Sequence, residues 1–572
     1  MMTTWRGASR AVIALALVLS SCSSDTPGGS GGATPAPTAA ASPAVSEQNA
    51  LATATPIKHL VVIFQENVSF DHYFGTYPQA ANPAGQPVFT AAAETPWVNG
   101  YLANTTLLTN NPNTTSAANL KTSVAPELMN PFRIDRAQAD TTSQNHNYLA
   151  EQLASNNGRM DSFVAYTGRS NQNKPGSGAF GTAAQVMAYF DGNTVTALWN
   201  YAQNFAMSDN AYTDTFGPST PGALHVVAGT NAGATQGTGT VADGQGGWTV
   251  IGDPEPAGDV CTKDRTPVSL AGKNIGDLLN AAGITWGGFM GGFDLTAHNP
   301  DMTTGCRRSM TSPITSRSVV DYKPHHAWFQ YFASTANLKH TRPSSVAMIG
   351  HTEPTLDAAG SATPVHHQYD LNDFIAAVKA GNFPSVSYLK AQAIGDGHPG
   401  NSNPLDEQTF LVNTLNFLQQ QPDWKSTAVL ILYDDSDGWY DHRSPNILTS
   451  SFDATVDQMT APGKCDGLGA VQGVGLTGKP INGRCGPGSR IPFLVISPWS
   501  RVNYVDSTPI TQSSVLRFIE YNWLKDARIG GGSNDANAGK ILNMFDFTNA
   551  PHLTPLFLDP TTGTKVAAAP AM

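Results

Sequence analysis

Along this chain, short unbroken apolar runs recur between stretches that carry apolar residues at helical spacing. HLVVIF near residue 60, GITWGGF near 285, SVSYL near 387, TAVLILY near 430 and PFLVISP near 495 each stop at a turn or a polar cluster. Apolar runs without alternation suit strands buried on both faces, the pattern of a parallel sheet. Helical segments are expected at 373–380, ahead of SVSYL, at 406–420, ahead of TAVLILY, and at 513–524, after the last run. The alternation predicts an α/β domain, a mostly parallel sheet with helices on both faces. The Gly- and Thr-rich stretch from about 215 to 320 is patterned more weakly and is expected to form a smaller inserted or capping subdomain.

The ends of the chain read differently. Arg6 and Arg10 precede AVIALALVL, an apolar run too short to span a bilayer, and LSSC closes it at Cys22. This pattern resembles a bacterial lipoprotein signal over 1–22, with Cys22 lipidated. Such a signal implies an exported cell-envelope lipoprotein, periplasmic or at the cell surface, held to the membrane by its lipid. Residues 23–55 are Gly, Pro, Ala, Ser and Thr with few large apolar side chains, and are expected to be a flexible linker. The folded domain is expected over 56–560 and a flexible Ala/Pro tail over 561–572.

Composition narrows the class. With 572 residues, 40% hydrophobic and 13% charged, the chain has enough apolar side chains for a sizeable core. A formal net charge of −11 leaves no basic stripe for nucleic acid, and a phosphorylated ligand would need a cation to help bind it. Beyond Cys22 stand Cys261, Cys306, Cys465 and Cys485. In an exported chain they read as two disulfides, and of three pairings the spacing suggests Cys261–Cys306 with Cys465–Cys485.

In open α/β sheets, ligands bind outside the carboxyl ends of the strands. HLVVIFQEN ends in Glu66-Asn67 and TAVLILYDDSDG in Asp434-Asp435. Three carboxylates and an amide converging on one edge repel unless a cation sits among them. Ser219 in YTDTFGPSTPGALHVVAGT follows a turn and opens a helix-like run. That placement suits a nucleophile facing a phosphoryl group, with a metal to activate its hydroxyl. His146 in SQNHNY, the pair His366-His367 in ATPVHHQYD, and His398 in IGDGHPGN are the histidine candidates. Imidazole there could ligate a metal, hold a phosphate oxygen or protonate a leaving alcohol.

These motifs occur in a familiar order. ENVSFDHYFGTYP, GPSTP, the HH pair, the GHP turn, LYDDSDGWYDH and RIPFLVISPWSRVNYV together resemble the bacterial acid phosphatase and phospholipase C family, a branch of the alkaline-phosphatase-like superfamily, over about 57–550. The resemblance implies a divalent metal on Glu66, Asn67, Asp434, Asp435 and Ser219; oxygen ligands with histidines at hand suit Zn, Fe, Mn or Ca. It implies Ser219 as nucleophile and His146, His366, His367 and His398 as active-site histidines. Read from the residues themselves, Asp71, His72 and Phe74 are expected to pack and hydrogen-bond the turn behind Glu66-Asn67, and Asp437, Asp441 and His442 to support the site, with a direct role for His442 as the alternative. Phospholipase C members usually read ENRSFD and GPTxPNR; here Val68, Ser219 and Gly222-Ala223 depart from that pattern. The departures favour the acid phosphatase branch: a metal-dependent phosphoric ester hydrolase acting on small phosphomonoesters through a phosphoserine. The alternatives are a phospholipase C acting on phospholipids, and a lipoprotein that binds a phosphorylated ligand without turnover.

Overall fold

The computed structural model describes residues 46–353 and 365–571; the expected signal, Cys22 and most of the linker lie outside them. Eight strands make the main sheet: β1 His59–Gln65, β2 Ala206–Ser208, β3 Trp286–Met290, β4 Gln368–Asp370, β5 Val386–Lys390, β6 Thr427–Tyr433, β7 Phe493–Ile496 and β8 Tyr504–Asp506. Their order is β4–β3–β5–β1–β6–β7–β2–β8. The first five run parallel, β7 runs against both β6 and β2, and β8 is parallel to β2. The sheet is therefore mostly parallel, but PFLVISP, expected as a parallel strand, is antiparallel. The chain between β6 and β7 makes no crossover, so β7 re-enters beside the end of β6, with Phe493 opposite Leu432.

β1 lies at the centre and is buried throughout. Leu60, Val62 and Phe64 face one core cluster, Val61 and Ile63 the other. The principal helices are α1 Phe70–Phe74, α2 Tyr148–Ser155, α3 Thr196–Asn204, α4 Ser219–Ala228, α5 Leu371–Lys379, α6 Pro404–Gln419 and α7 Ser514–Trp523. α4 and α7 pack on the first face; α1, α3, α5 and α6 cover the second. The three helices expected from the sequence match α5, α6 and α7. α5 and α6 start two residues early, because Asp370 and Asn403 cap them from just upstream.

Three organisational expectations change. The 215–320 stretch is not a unit apart: it supplies α4 and β3 to the main domain, and only its two small sheets are local. The described end of the linker is folded onto the domain through polar ties, Ser46 Oγ to Phe383 O at 2.9 Å and Thr55 Oγ1 to Asn522 Oδ1 at 2.8 Å. The expected tail also packs, with Asn200 of α3 donating to Gly563 O and Gln408 of α6 to Thr561 O. In both segments side-chain amides and hydroxyls do the holding, and a reading by apolar content does not register them. The disulfides are Cys261–Cys306 and Cys465–Cys485, as the spacing suggests.

Candidate active site

β1 and β6 are hydrogen-bonded along their whole length, ending with Gln65 opposite Tyr433. The next residues, Glu66 and Asp434, therefore leave the sheet side by side. Asn67 turns the chain away with φ of 55°, and Asp437 and Gly438 do the same after β6 with φ of 54° and 73°. Asp434 Oδ1 accepts from Asn67 N–H (3.1 Å) and Asp435 N–H (2.8 Å). Asp435 Oδ2 accepts from Asn67 Nδ2 (3.2 Å) and from Ser219 Oγ (3.1 Å). Ser219 is the first residue of α4, which lies across this edge, and all five side chains are buried.

The electrostatics are those of a crowded carboxylate site. Burial, then the charge on Glu66, pushes Asp434 up to about 7. Burial and the neighbouring Asp434 raise Asp435 well above the carboxylate range. Glu66 goes the other way: burial opposes ionisation, but His326 and Lys390 beside it hold its carboxyl well below the usual value. His326 Nδ1 is 2.6 Å from Glu66 Oε1, and burial pushes the imidazole well below its ordinary value. The lasting positive charge next to Glu66 is accordingly Lys390, the buried last residue of β5, which ion-pairs with the same oxygen. Glu66, Asp434 and Asp396 keep that ammonium protonated against its burial.

A divalent cation fits these residues. Asn67 Oδ1, Glu66 Oε2 and His326 Nε2 are buried without a hydrogen-bond partner among the described residues. Glu66, His326 and Asp434 each offer a ligand atom, all within 4.8 Å of one another. Such a mixed oxygen and imidazole set suits Zn, Fe or Mn, and leaves the metal's identity open.

The histidines divide. His146, just ahead of α2, places Nδ1 3.1 Å from Asp437 Oδ1. Burial works against its charge, but Asp435 and the bond to Asp437 hold the imidazole well above the usual histidine value. His398 follows β5 in a loop whose Asp396 Oδ1 accepts the His398 N–H and whose Asp396 O accepts Glu66 N–H. The two rings meet edge to face at 6.3 Å. His366 and His367 do not join them. Both precede β4 and so lie at the amino ends of the parallel strands, opposite Glu66 and Asp434. His366 Nδ1 contacts Ala336 O, and His367 stacks on Trp286 with Nδ1 at 2.9 Å from Trp286 O. The pair at the site is His325-His326, whose rings are 4.0 Å apart.

Sequence reading missed His325, His326 and Lys390. The chain holds two His-His pairs between Ser219 and His398, and the signal that separates them follows the second. There QYD leads into an Asp370/Asp373 capping box, marking a strand that feeds a helix. Behind the site, Arg490 ion-pairs with Asp71 and Asp441, and Asp71 also receives His442, so these groups brace α1 and the Glu66-Asn67 turn.

A model of the phosphoesterase family matches residues 57–524. A non-hemolytic phospholipase C of Pseudomonas aeruginosa is 24% identical over 506 residues, covering 86% of this chain and 58% of that protein. Phospholipase C A of Mycobacterium tuberculosis is 24% identical over 519 residues, covering 87% and 79% respectively. The chain thus spans little more than half the length of the Pseudomonas relative. Among solved structures, murine ectonucleotide pyrophosphatase/phosphodiesterase 5 is similar over 62% of this chain and 95% of that one, at 9% identity and a TM-score of 0.29. On the match across 57–524, this chain belongs to the phosphoesterase family.

Proposed function

We propose that the protein is a metal-dependent phosphoric ester hydrolase of the cell envelope, acting on phosphomonoesters through a phosphoserine at Ser219. The observation that carries this reading is the Ser219 hydroxyl bound to Asp435 Oδ2 inside the carboxylate cluster at the strand ends. A divalent metal held by Glu66, Asn67, Asp434, Asp435, Ser219 and His326 would lower the hydroxyl's pKa and offset charge on the phosphoryl oxygens. Asp435 fixes the Ser219 rotamer and is the first acceptor for its proton. Ser219 Oγ then bonds to phosphorus as the ester oxygen leaves, and that oxygen takes a proton from His146, the imidazole held protonated, or from His398 beside it. Water next attacks phosphorus, the Oγ–P bond breaks, and Oγ recovers a proton. Lys390 keeps Glu66 ionised and in place throughout.

A second reading, phospholipase C, is favoured by the names of the curated relatives. Val68 and Ala223 favour the monoester reading instead, being packed into the core where the phospholipase pattern has arginine. Among the described residues no helix is long and apolar enough to cross a membrane; membrane attachment is proposed through Cys22 alone.

The test is turnover of p-nitrophenyl phosphate against p-nitrophenyl phosphorylcholine, by wild type and Ser219→Ala, with and without chelator. Fast monoester turnover lost in the variant and on chelation is the expected result. Preference for the choline diester would move the protein to the phospholipase reading. No turnover of either ester after metals are resupplied would leave ligand binding without catalysis.

A further inference from the structure

Donors from three separate segments of chain end on one buried carboxylate, Glu151, in α2. Gly217 N–H donates to its Oε2 at 3.0 Å; Ser436 Oγ at 2.6 Å and Ser489 Oγ at 3.3 Å donate to its Oε1. Two of these donors, Gly217 and Ser436, are placed next to the chemistry. Gly217, with φ of 119°, stands two residues before Ser219, and Pro218 between them has no N–H. Ser436 lies between Asp435, which binds the Ser219 hydroxyl, and Asp437, which binds His146. Glu151 itself is one turn beyond His146, on the helix that His146 leads into.

The geometry points to Glu151 as a positioning residue that holds the Ser219 turn and the Asp435–Asp437 turn in register, so that Oγ and the acidic cluster meet. This rests on Ser219 being the nucleophile. Packing alone does not account for a carboxylate here. A buried carboxylate is destabilising relative to an apolar side chain of the same size, unless its oxygens are needed as acceptors. Both oxygens are used: Oε2 holds the turn before Ser219, and Oε1 holds the Asp435–Asp437 turn together with Ser489. The Gly217 N–H is fixed by the backbone and cannot turn to another acceptor, whereas the two serine hydroxyls can rotate and accept instead of donate.

That difference supplies the test. Glu151→Gln can face Oε1 to the Gly217 N–H and Nε2 to the serine hydroxyls, keeping the ties. Glu151→Met keeps the length and removes the acceptor. With whichever ester the wild type turns over, Glu151→Met should lower kcat by about 10- to 100-fold, the scale of an ångström's misplacement of reacting groups. KM and bound metal should stay within about twofold and Glu151→Gln should keep kcat within about threefold, since neither contact to substrate nor hydrogen-bond count changes. Unchanged kcat in Glu151→Met would overturn the proposal, as would a loss equal in Glu151→Gln, or a rise in KM or loss of metal that accounts for the whole effect. Should Glu151→Met not fold, Ser436→Ala reads the same link from the other side. It should lower kcat by about 3- to 10-fold, because one of the two loops is released; wild-type kcat would overturn the proposal. Ser219→Ala is run in parallel. Full turnover there sinks the nucleophile assignment itself, whatever the Glu151 variants do.

Discussion

Gly222 offers a sharp test of how α4 is seated, because two effects there predict opposite signs. A Cβ at this position would lie 2.2 Å from the Asp434 carbonyl oxygen and 2.9 Å from Gln512 Nε2. Ordinary van der Waals contact begins at 3.4 Å, so α4 must retreat by about 1.2 Å or the turn after β6 must give. That turn is pinned, since Gln512 Nε2 donates to Tyr433 O at 3.0 Å and to Asp434 O at 2.6 Å. Ser219 sits three residues earlier on the same helix, 3.1 Å from Asp435; a retreat of that size breaks the hydrogen bond. Helix propensity alone would make Gly222→Ala more stable by about 1 kcal/mol, whereas overpacking destabilises by about 1–3 kcal/mol. The structure therefore predicts a net loss of up to about 2 kcal/mol in urea denaturation, with kcat down by about tenfold or more through displacement of Ser219. A variant as stable as wild type, or more so, and equally active would refute the seating.

Three further outcomes can be checked directly. Lys390→Met leaves Glu66 buried beside a neutral group and should remove about 3–5 kcal/mol of stability. The loss should be greatest in chelator and partly reversed by divalent metal, which then balances Glu66; unchanged denaturation in chelator would contradict the pairing. His326→Asn should weaken metal binding by about tenfold or more, read by titration calorimetry, while His366→Asn leaves it unchanged; the reverse ranking would restore the pair expected from the sequence. Burial pushes Glu407 up to about 7, against hydrogen bonds from Tyr433, Tyr73 and Gln65 that favour its charged form. Between its unfolded value near 4.5 and about 7 the folded state binds the extra proton. Stability should thus be highest below pH 4.5 for this group and fall by about 3 kcal/mol as pH rises through 7. Glu407→Gln should flatten that slope in denaturation series from pH 4.5 to 8, and an unaltered slope would place the effect elsewhere.

Much of the site was legible because strands and their ends announce themselves. HLVVIF and TAVLILY are long enough to be read as buried strands, and the polar residues that stop them are those the structure brings together. What escaped was short or charged. β2, β4 and β8 have three residues each, too few for periodicity to register. Lys390, Glu151 and Glu407 are buried charged side chains whose partners lie on other segments. In sequence, such residues look like solvent-facing positions at the end of a strand or on a helix. Only the pairing of distant segments reveals that Lys390 faces Glu66 or that Glu151 faces Gly217.

Strand polarity separates the two histidine pairs, because β4 pairs in parallel with β3. All parallel strands of a sheet share a polarity, so residues just before a strand and residues just after one lie on opposite edges. Glu66, Asp434 and His398 follow β1, β6 and β5; His366 and His367 precede β4, which pairs in parallel with β3. Once QYD is taken as a parallel strand, no loop conformation lets His366-His367 reach the carboxyl edge without reversing that strand. His325-His326 faces no such bar. It lies in the connection that leaves β3 at the carboxyl edge and returns to β4 at the other, passing Ser219 on the way, where Thr220 Oγ1 donates to His325 O at 3.2 Å. Strand polarity, applied to a three-residue strand flanked by a capping box, is sufficient to choose between two otherwise identical dipeptides.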